Sequence, residues 1–240
     1  MYATLLAAVF PSIESAPEFS KLIESYPDAL KTLFGISGDF TTGPGYLDAE
    51  LFSLMLPLLA IVLAIGSAAR ALAGEEDAGR LELMLAYPIR RRAAVLAKGA
   101  AVAVEVAAFC VAAFVALAVL GAIFGLDLRL ARLVTAVAAV GVLAVFHGWL
   151  ALAVAALVPS RALAIGVAAA VAAAGYLIGG LESLAGWLGP FRFVSAFWWI
   201  GQAPLRTGVS GPGAAVVAAA ALVCLAAAAL LFERRDLRTP

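Results

Sequence analysis

Long apolar runs alternate with short polar segments along most of this chain. Five of the runs are long enough to cross the hydrocarbon of a bilayer, which takes about 20 residues. They cover residues 51–73, 99–123, 133–158, 162–180 and 213–232. The pattern predicts five complete transmembrane helices in an all-α, polytopic membrane bundle. Pro57 lies within the first run and predicts a kink there.

Residues 1–13 are also apolar, but they are too few to span the hydrocarbon. No lysine or arginine precedes them, which argues against a secretory signal peptide. They are either an interfacial anchor or the end of a first span that begins before this chain.

Residues 14–50 are polar enough to lie in water, and seven acidic residues there outnumber two lysines. Apolar side chains recur at helical spacing on either side of Pro27, namely Phe19, Leu22, Ile23, Tyr26, Leu30, Leu33 and Phe34. We expect two short amphipathic helices on the membrane surface. The Thr-Thr-Gly-Pro-Gly stretch at residues 41–45 is then expected to turn the chain into the first complete span.

The runs at residues 133–158 and 162–180 are separated by only Pro159, Ser160 and Arg161, so they must form an antiparallel hairpin. Residues 181–212 are mixed in polarity and rich in aromatic side chains: Trp187, Phe191, Phe193, Phe197, Trp198 and Trp199. An aromatic belt at the membrane interface is the ordinary interpretation of such a cluster. Residues 233–240 form a polar tail.

The charged segment at residues 74–98 has the pattern of a short amphipathic helix between two spans. Acidic residues 75–77 suit a helix N-terminus, and Pro88 would end the helix ahead of the arginines at 90–92. Apolar residues at spacings of three and four form a narrow stripe, made by Leu81, Met84 and Leu85. Such a helix either docks on a soluble partner or lies in the lipid interface.

The composition supports the membrane assignment. Hydrophobic residues make up 65% of the chain and charged residues 13%, with a mean hydropathy of +1.05. The formal net charge is zero, so nothing indicates an electrostatic nucleic-acid partner. Cys110 and Cys224 lie in apolar runs, where we interpret them as small hydrophobic residues rather than a disulfide or a metal site.

The basic residues are distributed unevenly between the two sides of the membrane. The side that holds the 74–98 loop has Arg70, Arg80, Arg90, Arg91, Arg92, Lys98, Arg161, Arg234, Arg235 and Arg238. The other side has Lys21, Lys31, Arg129, Arg132, Arg192 and Arg206. Because lysine and arginine are retained on the cytoplasmic side, we expect the loop and the C-terminus in the cytoplasm and residues 14–50 outside.

The loop sequence EEDAGRLELMLAYPIRRRAAVLAK resembles a feature of the permease subunits of type-2 ATP-binding-cassette (ABC) transporters. It is similar to that family's acidic-Gly-x-Leu-Glu-x-Leu-Leu-x-x-Pro-x-x-Arg loop, which is followed by a lysine at the start of the next span. The most specific part is the pattern of Gly79, Leu81, Glu82, Pro88 and Arg91. The segment SIESAPEFSKLIESYPDALKTLFG, the aromatic stretch and the closing FERRDL extend the resemblance over nearly the whole chain.

The resemblance implies a half-transporter with six spans, of which residues 1–13 are the remnant of the first; the family's preceding cytoplasmic amphipathic helix is missing. It implies a coupling helix that docks in a groove of a separate ATP-hydrolysing subunit. The implied coupling residues are Glu75, Glu76, Gly79, Leu81, Glu82, Leu85, Pro88 and Arg91. Residues 181–212 would form a re-entrant pair of short helices on the outer side, with Trp198 and Trp199 at an outer gate. The implied location is the prokaryotic plasma (inner) membrane.

The sequence contains no GxxxxGK[ST] phosphate loop, so ATP and magnesium are expected in the partner ATPase and not in this chain. We expect no catalytic residue, cofactor site or metal site here. One chain has too few spans to enclose a wide path, so the substrate route is expected between two permease chains, as a homodimer or a heterodimer. Closure of two ATPase subunits around nucleotide would move the docked helices and rock the attached spans, as in an exporter.

Two polar residues within the predicted spans leave alternatives open. Glu105 either lines the path and contacts substrate, or snorkels toward the cytoplasm near Lys98. His147, the only histidine, either takes part in transport or makes a structural hydrogen bond to a neighbouring helix. If both were proton sites, the chain would be an ion-coupled secondary transporter, although two matching halves are not evident. A third class is a membrane scaffold without transport, or an intramembrane enzyme using Ser67 and His147.

Overall fold

The computed structural model describes residues 2–14, 25–27, 30–31, 42–77, 90–201 and 203–235. These residues form helices and turns without a β-strand, and five helical stretches among them are long and apolar enough to cross a membrane. The five stretches are Gly43–Gly74, Arg91–Phe124, Leu130–Leu157, Arg161–Leu181 and Gly211–Arg234. The predicted fold, an all-α membrane bundle with five complete spans, is confirmed.

The α-helices are α1 (Tyr2–Glu14), α2 (Gly43–Leu47), α3 (Met55–Ala69), α4 (Glu75–Asp77), α5 (Arg91–Phe124), α6 (Leu130–Leu157), α7 (Arg161–Leu181), α8 (Ala196–Ile200) and α9 (Gly211–Arg234). Two π-helical turns, Asp48–Phe52 and Arg70–Gly74, extend the first span on either side of α3. A 3-10 helix, Gly186–Val194, precedes α8. The short helices between α7 and α9 occupy the predicted aromatic segment.

Helix α6 is the centre of the bundle, because it packs against α3, α5, α7 and α9. Much of its contact surface is alanine, and Ala136, Ala144, Ala151, Ala155 and Ala156 are fully buried. Gly148 lies at a close approach to α3: a Cβ added there would lie 2.9 Å from the Cβ of Ala64 and 3.2 Å from its carbonyl oxygen. The small residues of these apolar runs therefore allow close contact between helix backbones.

The first span begins earlier than predicted. A helix starts at Gly43, inside the stretch that we expected to be a turn. The hydroxyl of Thr42 accepts a hydrogen bond from the Gly45 N–H (3.3 Å), and Pro44 occupies the first turn. Both are helix-start signals, since the threonine caps the helix and the proline needs no hydrogen-bond acceptor there. Asp48, which we placed in the water-exposed segment, is fully buried in this helical stretch.

The predicted irregularity at Pro57 is also observed. Regular helix geometry is interrupted at Ser53 and Leu54, and the φ angle of Leu54 is −140°. The ring of a proline clashes with the carbonyl four residues earlier, which here belongs to Ser53. The interruption therefore lies where the proline ring demands it, and it separates the first π-helical turn from α3.

Helix α5 starts at Arg91, eight residues before the predicted start of its span at Gly99. Its 34 residues correspond to about 51 Å, whereas the hydrocarbon is about 30 Å thick. The basic first turns therefore extend out of the hydrocarbon. The predicted hairpin between α6 and α7 is present, and Ser160 caps α7 by accepting a hydrogen bond from the Leu163 N–H (3.3 Å).

Helix α1 packs against α5 and buries Leu6 and Phe10. The ring centroid of Phe10 lies 5.6 Å from that of Tyr46 in α2. Helix α1 thus contacts the bundle at this end. Several predictions concern residues outside the described ranges: most of the short helix expected at about residues 76–86, most of the tail at 233–240, and most of residues 14–41.

The helix ends meet at two surfaces. The Nη1 of Arg91 donates to the Arg235 carbonyl (2.7 Å), and the Nη1 of Arg235 donates to the Ala155 carbonyl (3.0 Å). The start of α5 and the ends of α6 and α9 therefore lie together, and we call this surface the charged end. At the opposite end, a Cβ added to Gly43 would lie 2.2 Å from the carbonyl oxygen of Leu126, so α2 touches the α5–α6 connection there.

Candidate coupling site and polar groups within the spans

An ion pair joins the two helices that lie on either side of segment 78–89. Helix α4 continues the first span, and its Glu75 carboxylate accepts a hydrogen bond from the ammonium of Lys98 in α5. The Lys98 side chain is only 11% exposed. The chain entering the segment is therefore held against the helix that leaves it.

Arg235, which directly follows α9, joins that helix to α4 and α6 at the charged end. Its Nη2 donates to both carboxylate oxygens of Glu76, and the two side chains are only 12% and 11% exposed. Its Nη1 donates to the carbonyls of Ala155 (3.0 Å) and Ala156 (3.4 Å) in the last turn of α6. Carbonyls in a last helical turn lack partners within their own helix. The guanidinium of this residue thus connects the end of α9 to α4 and α6.

Helix α5 is attached to the same cluster. Arg91 donates to the Arg235 carbonyl (2.7 Å), and Arg92 pairs with Glu233 at the end of α9. The Arg92–Glu233 pair is exposed to solvent, with side chains 54% and 44% accessible. Four of the five spans are therefore connected at the charged end through side chains that flank segment 78–89.

Glu105 lies on an exposed face of α5 and contacts α3. The hydroxyl of Ser67 donates to its carboxylate, and the Nη2 of Arg70 lies 3.5 Å from the same hydroxyl oxygen. Lys98 pairs with Glu75, so the direct partner of Glu105 is Ser67 and not Lys98, and both interpretations of Glu105 stay predictions. Helix α3 passes beside α5 and offers a nearer polar partner in Ser67.

His147 is buried in α6, with 1% of its surface exposed. Its Nδ1 lies 2.8 Å from the carbonyl oxygen of Leu143, one turn earlier in its own helix. The expected hydrogen bond to a neighbouring helix is therefore replaced by one within α6. The imidazole packs against the rings of Phe146 and Phe197, with centroids 4.8 Å and 6.0 Å away.

The short helices before α9 are held against α7 by specific hydrogen bonds. The hydroxyl of Ser195 donates to the Gly175 carbonyl (2.6 Å) and accepts from the Trp198 N–H (3.1 Å). A Cβ on Gly179 would lie 2.9 Å from that hydroxyl oxygen, so this contact requires glycine. The indole of Trp198 donates to Glu182 (3.2 Å), and that of Trp199 donates to the Phe193 carbonyl (2.9 Å).

A buried carboxylate that the sequence reasoning missed organises the opposite end. Asp48 accepts hydrogen bonds from the backbone N–H groups of Leu205 and Arg206, each at 3.0 Å. The Nε of Arg206 lies 3.5 Å from the same carboxylate. Arg132 of α6 donates to the carbonyls of Leu205 (3.1 Å) and Arg206. The turn between α8 and α9 is thus tied to the first span and to α6.

A comparison with family models identifies the chain. The model described as "ABC-2 family transporter protein" matches residues 5–237, nearly the whole sequence. The chain belongs to the ABC-2 transporter family. It is therefore a membrane-spanning transport subunit, and membership implies association with an ABC ATPase. Neither the curated proteins nor the solved structures contain a match.

In this ABC-2 family chain the predicted coupling residues fall into two groups. Glu75, Glu76 and Arg91 form bonds within the chain at the charged end. The others lie outside the described residues, so their contact with an ATPase stays a prediction: Gly79, Leu81, Glu82, Leu85 and Pro88.

The polar groups of the ABC-2 spans are separated rather than assembled into a reaction centre. Ser67 binds Glu105, whereas His147 binds a carbonyl of its own helix. In the part of the chain that the structure describes, no group of three or more His, Cys, Asp or Glu side chains is arranged to hold a metal ion.

Proposed function

We propose that this chain is one half of the membrane part of an ATP-driven exporter. Two permease chains enclose the substrate route, and segment 78–89 of each docks on a separate ABC ATPase subunit. ATP and magnesium bind to that subunit, and this chain contributes no catalytic group. The family membership supports a transport subunit, and the bonds at the charged end support the coupling role.

The observation that carries the proposal is the anchoring on both sides of segment 78–89. Glu75 and Lys98 join the helices on either side of the segment, and Glu76 and Arg235 join the helix that precedes it to α6 and α9. The elements next to the segment are therefore bonded to each other. A displacement that a docked ATPase passed to these elements would be shared by four spans.

The charge distribution supports a cytoplasmic position for the charged end. In the described residues this end carries Arg70, Arg90, Arg91, Arg92, Lys98, Arg161, Arg234 and Arg235. The opposite end carries Arg129, Arg132, Arg192 and Arg206. By the positive-inside rule, segment 78–89 and the C-terminus then face the cytoplasm of a prokaryotic plasma membrane, where ATP is available.

The position of Glu105 supports a route between two chains. Glu105 is exposed on α5 in the single chain, and its carboxylate accepts a hydrogen bond from the buried Ser67 hydroxyl. A carboxylate within a span is costly unless it is paired or reached by water. An interface between two permease chains would bring water to this face, with Glu105 and the exposed Arg70 beside the route.

Changing the apolar or acidic side of the docking segment tests the coupling role. Leu81→Asp and Glu82→Arg are each expected to lower ATP hydrolysis per mole of purified permease complex by at least about tenfold. The first variant places a charge on the apolar side of the expected interface with the ATPase, and the second reverses a charge there. The measurement is the ATPase activity that copurifies with the tagged full-length chain.

Leu163→Asp is the matched control for Leu81→Asp. Leu163 lies in the first turn of α7 at the same end of the bundle, and its side chain is 45% exposed. An aspartate in a first helical turn is well tolerated. Retained ATPase activity is expected for this variant, and equal activity in Leu81→Asp and wild type would refute docking through segment 78–89.

Water access at Glu105 tests the route. In a chain with Cys110 and Cys224 replaced by alanine, Glu105→Cys is expected to react with a membrane-impermeant maleimide about tenfold faster than Val223→Cys, because thiolates form only where water reaches. Val223 is 68% exposed on α9, at a comparable distance from the charged end. Equal rates would place Glu105 against lipid and remove it from the route.

A further inference from the structure

A cavity of about 550 Å³ opens at the end of the bundle opposite to the charged end. It lies between α1, α2, the α5–α6 connection and the turn between α8 and α9. Phe10, Pro44 and Leu128 supply apolar wall, and Arg129, Arg132 and Arg206 supply polar wall. Its volume is in the range of about 300–1,000 Å³ that small-molecule sites occupy.

The described residues of the cavity wall carry a net positive charge. Asp48 neutralises Arg206, with the Nε and the carboxylate 3.5 Å apart. Arg132 donates through Nη1 to two backbone carbonyls, which are neutral and leave its charge in place. Arg129 is exposed. Asp127, which is also exposed, is the acidic residue among them. The charges of Arg129 and Arg132 therefore outnumber the charge of Asp127.

Residues next to the cavity in the sequence indicate where it lies relative to the membrane. Ile123, near the end of α5, is 67% exposed, and Leu130, at the start of α6, is 58% exposed. Exposed apolar side chains at the ends of two membrane spans face lipid. The connection between them, which lines the cavity, therefore lies where the hydrocarbon gives way to the headgroup layer.

We propose that this basic cavity binds the headgroup of an anionic phospholipid. Guanidinium groups bind phosphate oxygens through pairs of charge-assisted hydrogen bonds. An arginine carries five N–H donors, and the carbonyl bonds of Arg132 use one of its terminal nitrogens. Arg129 and Arg132 would hold the phosphate, and the apolar wall would contact the first carbons of the lipid. A lipid is the favoured occupant because its headgroup is always present at this depth.

The experiment titrates the purified full-length chain in detergent with phosphatidylglycerol or phosphatidylcholine and follows bound lipid by native mass spectrometry. Wild type is expected to bind the first phosphatidylglycerol about fivefold or more tightly than phosphatidylcholine. Arg129→Gln is expected to weaken phosphatidylglycerol binding about fivefold and to leave phosphatidylcholine binding unchanged. Asp127→Asn is expected to strengthen phosphatidylglycerol binding, since it removes the acid; asparagine also tolerates the positive φ of 47° at this position.

Arg161→Gln is the matched control, because Arg161 is an exposed arginine at the start of another span, α7, at the charged end. It is expected to bind phosphatidylglycerol as wild type does. Equal binding of the two lipids by wild type, equal losses in Arg129→Gln and Arg161→Gln, or weaker binding by Asp127→Asn would overturn the proposal. Displacement of phosphatidylglycerol by millimolar inorganic phosphate would assign the cavity to a soluble phosphate group and overturn the lipid assignment.

Discussion

Replacing Asp48 by alanine is expected to destabilise the folded protein by about 3–5 kcal/mol. The substitution leaves two backbone N–H groups, of Leu205 and Arg206, without the acceptor they use at 3.0 Å. It also removes the carboxylate beside the Arg206 guanidinium, in a place where the aspartate has no exposed surface. The measurement is the thermal unfolding midpoint of the detergent-solubilised chain, followed by tryptophan fluorescence.

Two further variants separate the charge of Asp48 from its hydrogen bonds. Asp48→Asn keeps one acceptor oxygen and is expected to lose about half as much stability as the alanine variant. Glu50→Gln removes a charge from the same helical turn, but Glu50 is only partly buried, so its effect is expected to be small. Equal shifts in the midpoint for Glu50→Gln and Asp48→Ala would show that the bonds to the turn contribute nothing. Limited proteolysis should cut the turn between α8 and α9 only in the Asp48 variants.

Asp48 also shows where reasoning from the sequence fails. The five long spans follow from the length of their apolar runs, because every backbone polar group in hydrocarbon must be bonded within a helix. The burial of Asp48 depends on Leu205 and Arg206, more than 150 residues away along the chain. No local pattern distinguishes this aspartate from the acidic residues that precede it. The first span was therefore predicted to begin too late.

The candidate coupling site was predictable in its position but not in its bonds. The charge pattern marked residues 74–98 as the segment between two spans, and the resemblance assigned Glu75 and Glu76 to coupling. Their partners, Lys98 and Arg235, lie in other elements. The closing sequence FERRDL contained the signal for Arg235, since a basic tail on the same side of the membrane can reach an acidic loop. Which arginine does so depends on how α9 packs on α6.

Glu105 and His147 illustrate the same limit within the spans. Sequence identifies both as polar residues in apolar runs, but it gives no rotation about the helix axis. Packing buries His147 against the rings of Phe146 and Phe197, and leaves Glu105 on an exposed face of α5. The two residues therefore have different environments, and of the two only Glu105 is exposed.

Removing Arg235 is expected to have the largest effect at the charged end. Arg235→Ala removes the hydrogen bonds to both carboxylate oxygens of Glu76 and the bonds to the Ala155 and Ala156 carbonyls. It also removes the guanidinium whose Cζ lies 5.9 Å from the centroid of the Phe232 ring. Because the pair is only about one-tenth exposed, the loss of one partner is expected to cost about 3–5 kcal/mol. Glu76→Ala is expected to cost less, since Arg235 keeps its carbonyl partners.

The exposed Arg92–Glu233 pair provides the control on the same surface. Arg92→Ala is expected to cost about 0–1 kcal/mol, because both side chains are roughly half exposed. Raising the salt concentration to about 1 M should abolish the small effect of Arg92→Ala but leave most of the effect of Arg235→Ala, since buried pairs are screened less. Equal unfolding midpoints for Arg92→Ala and Arg235→Ala would mean that segment 78–89 is not held by Arg235. In that case the coupling that we propose would have to pass through Lys98 and α5 alone.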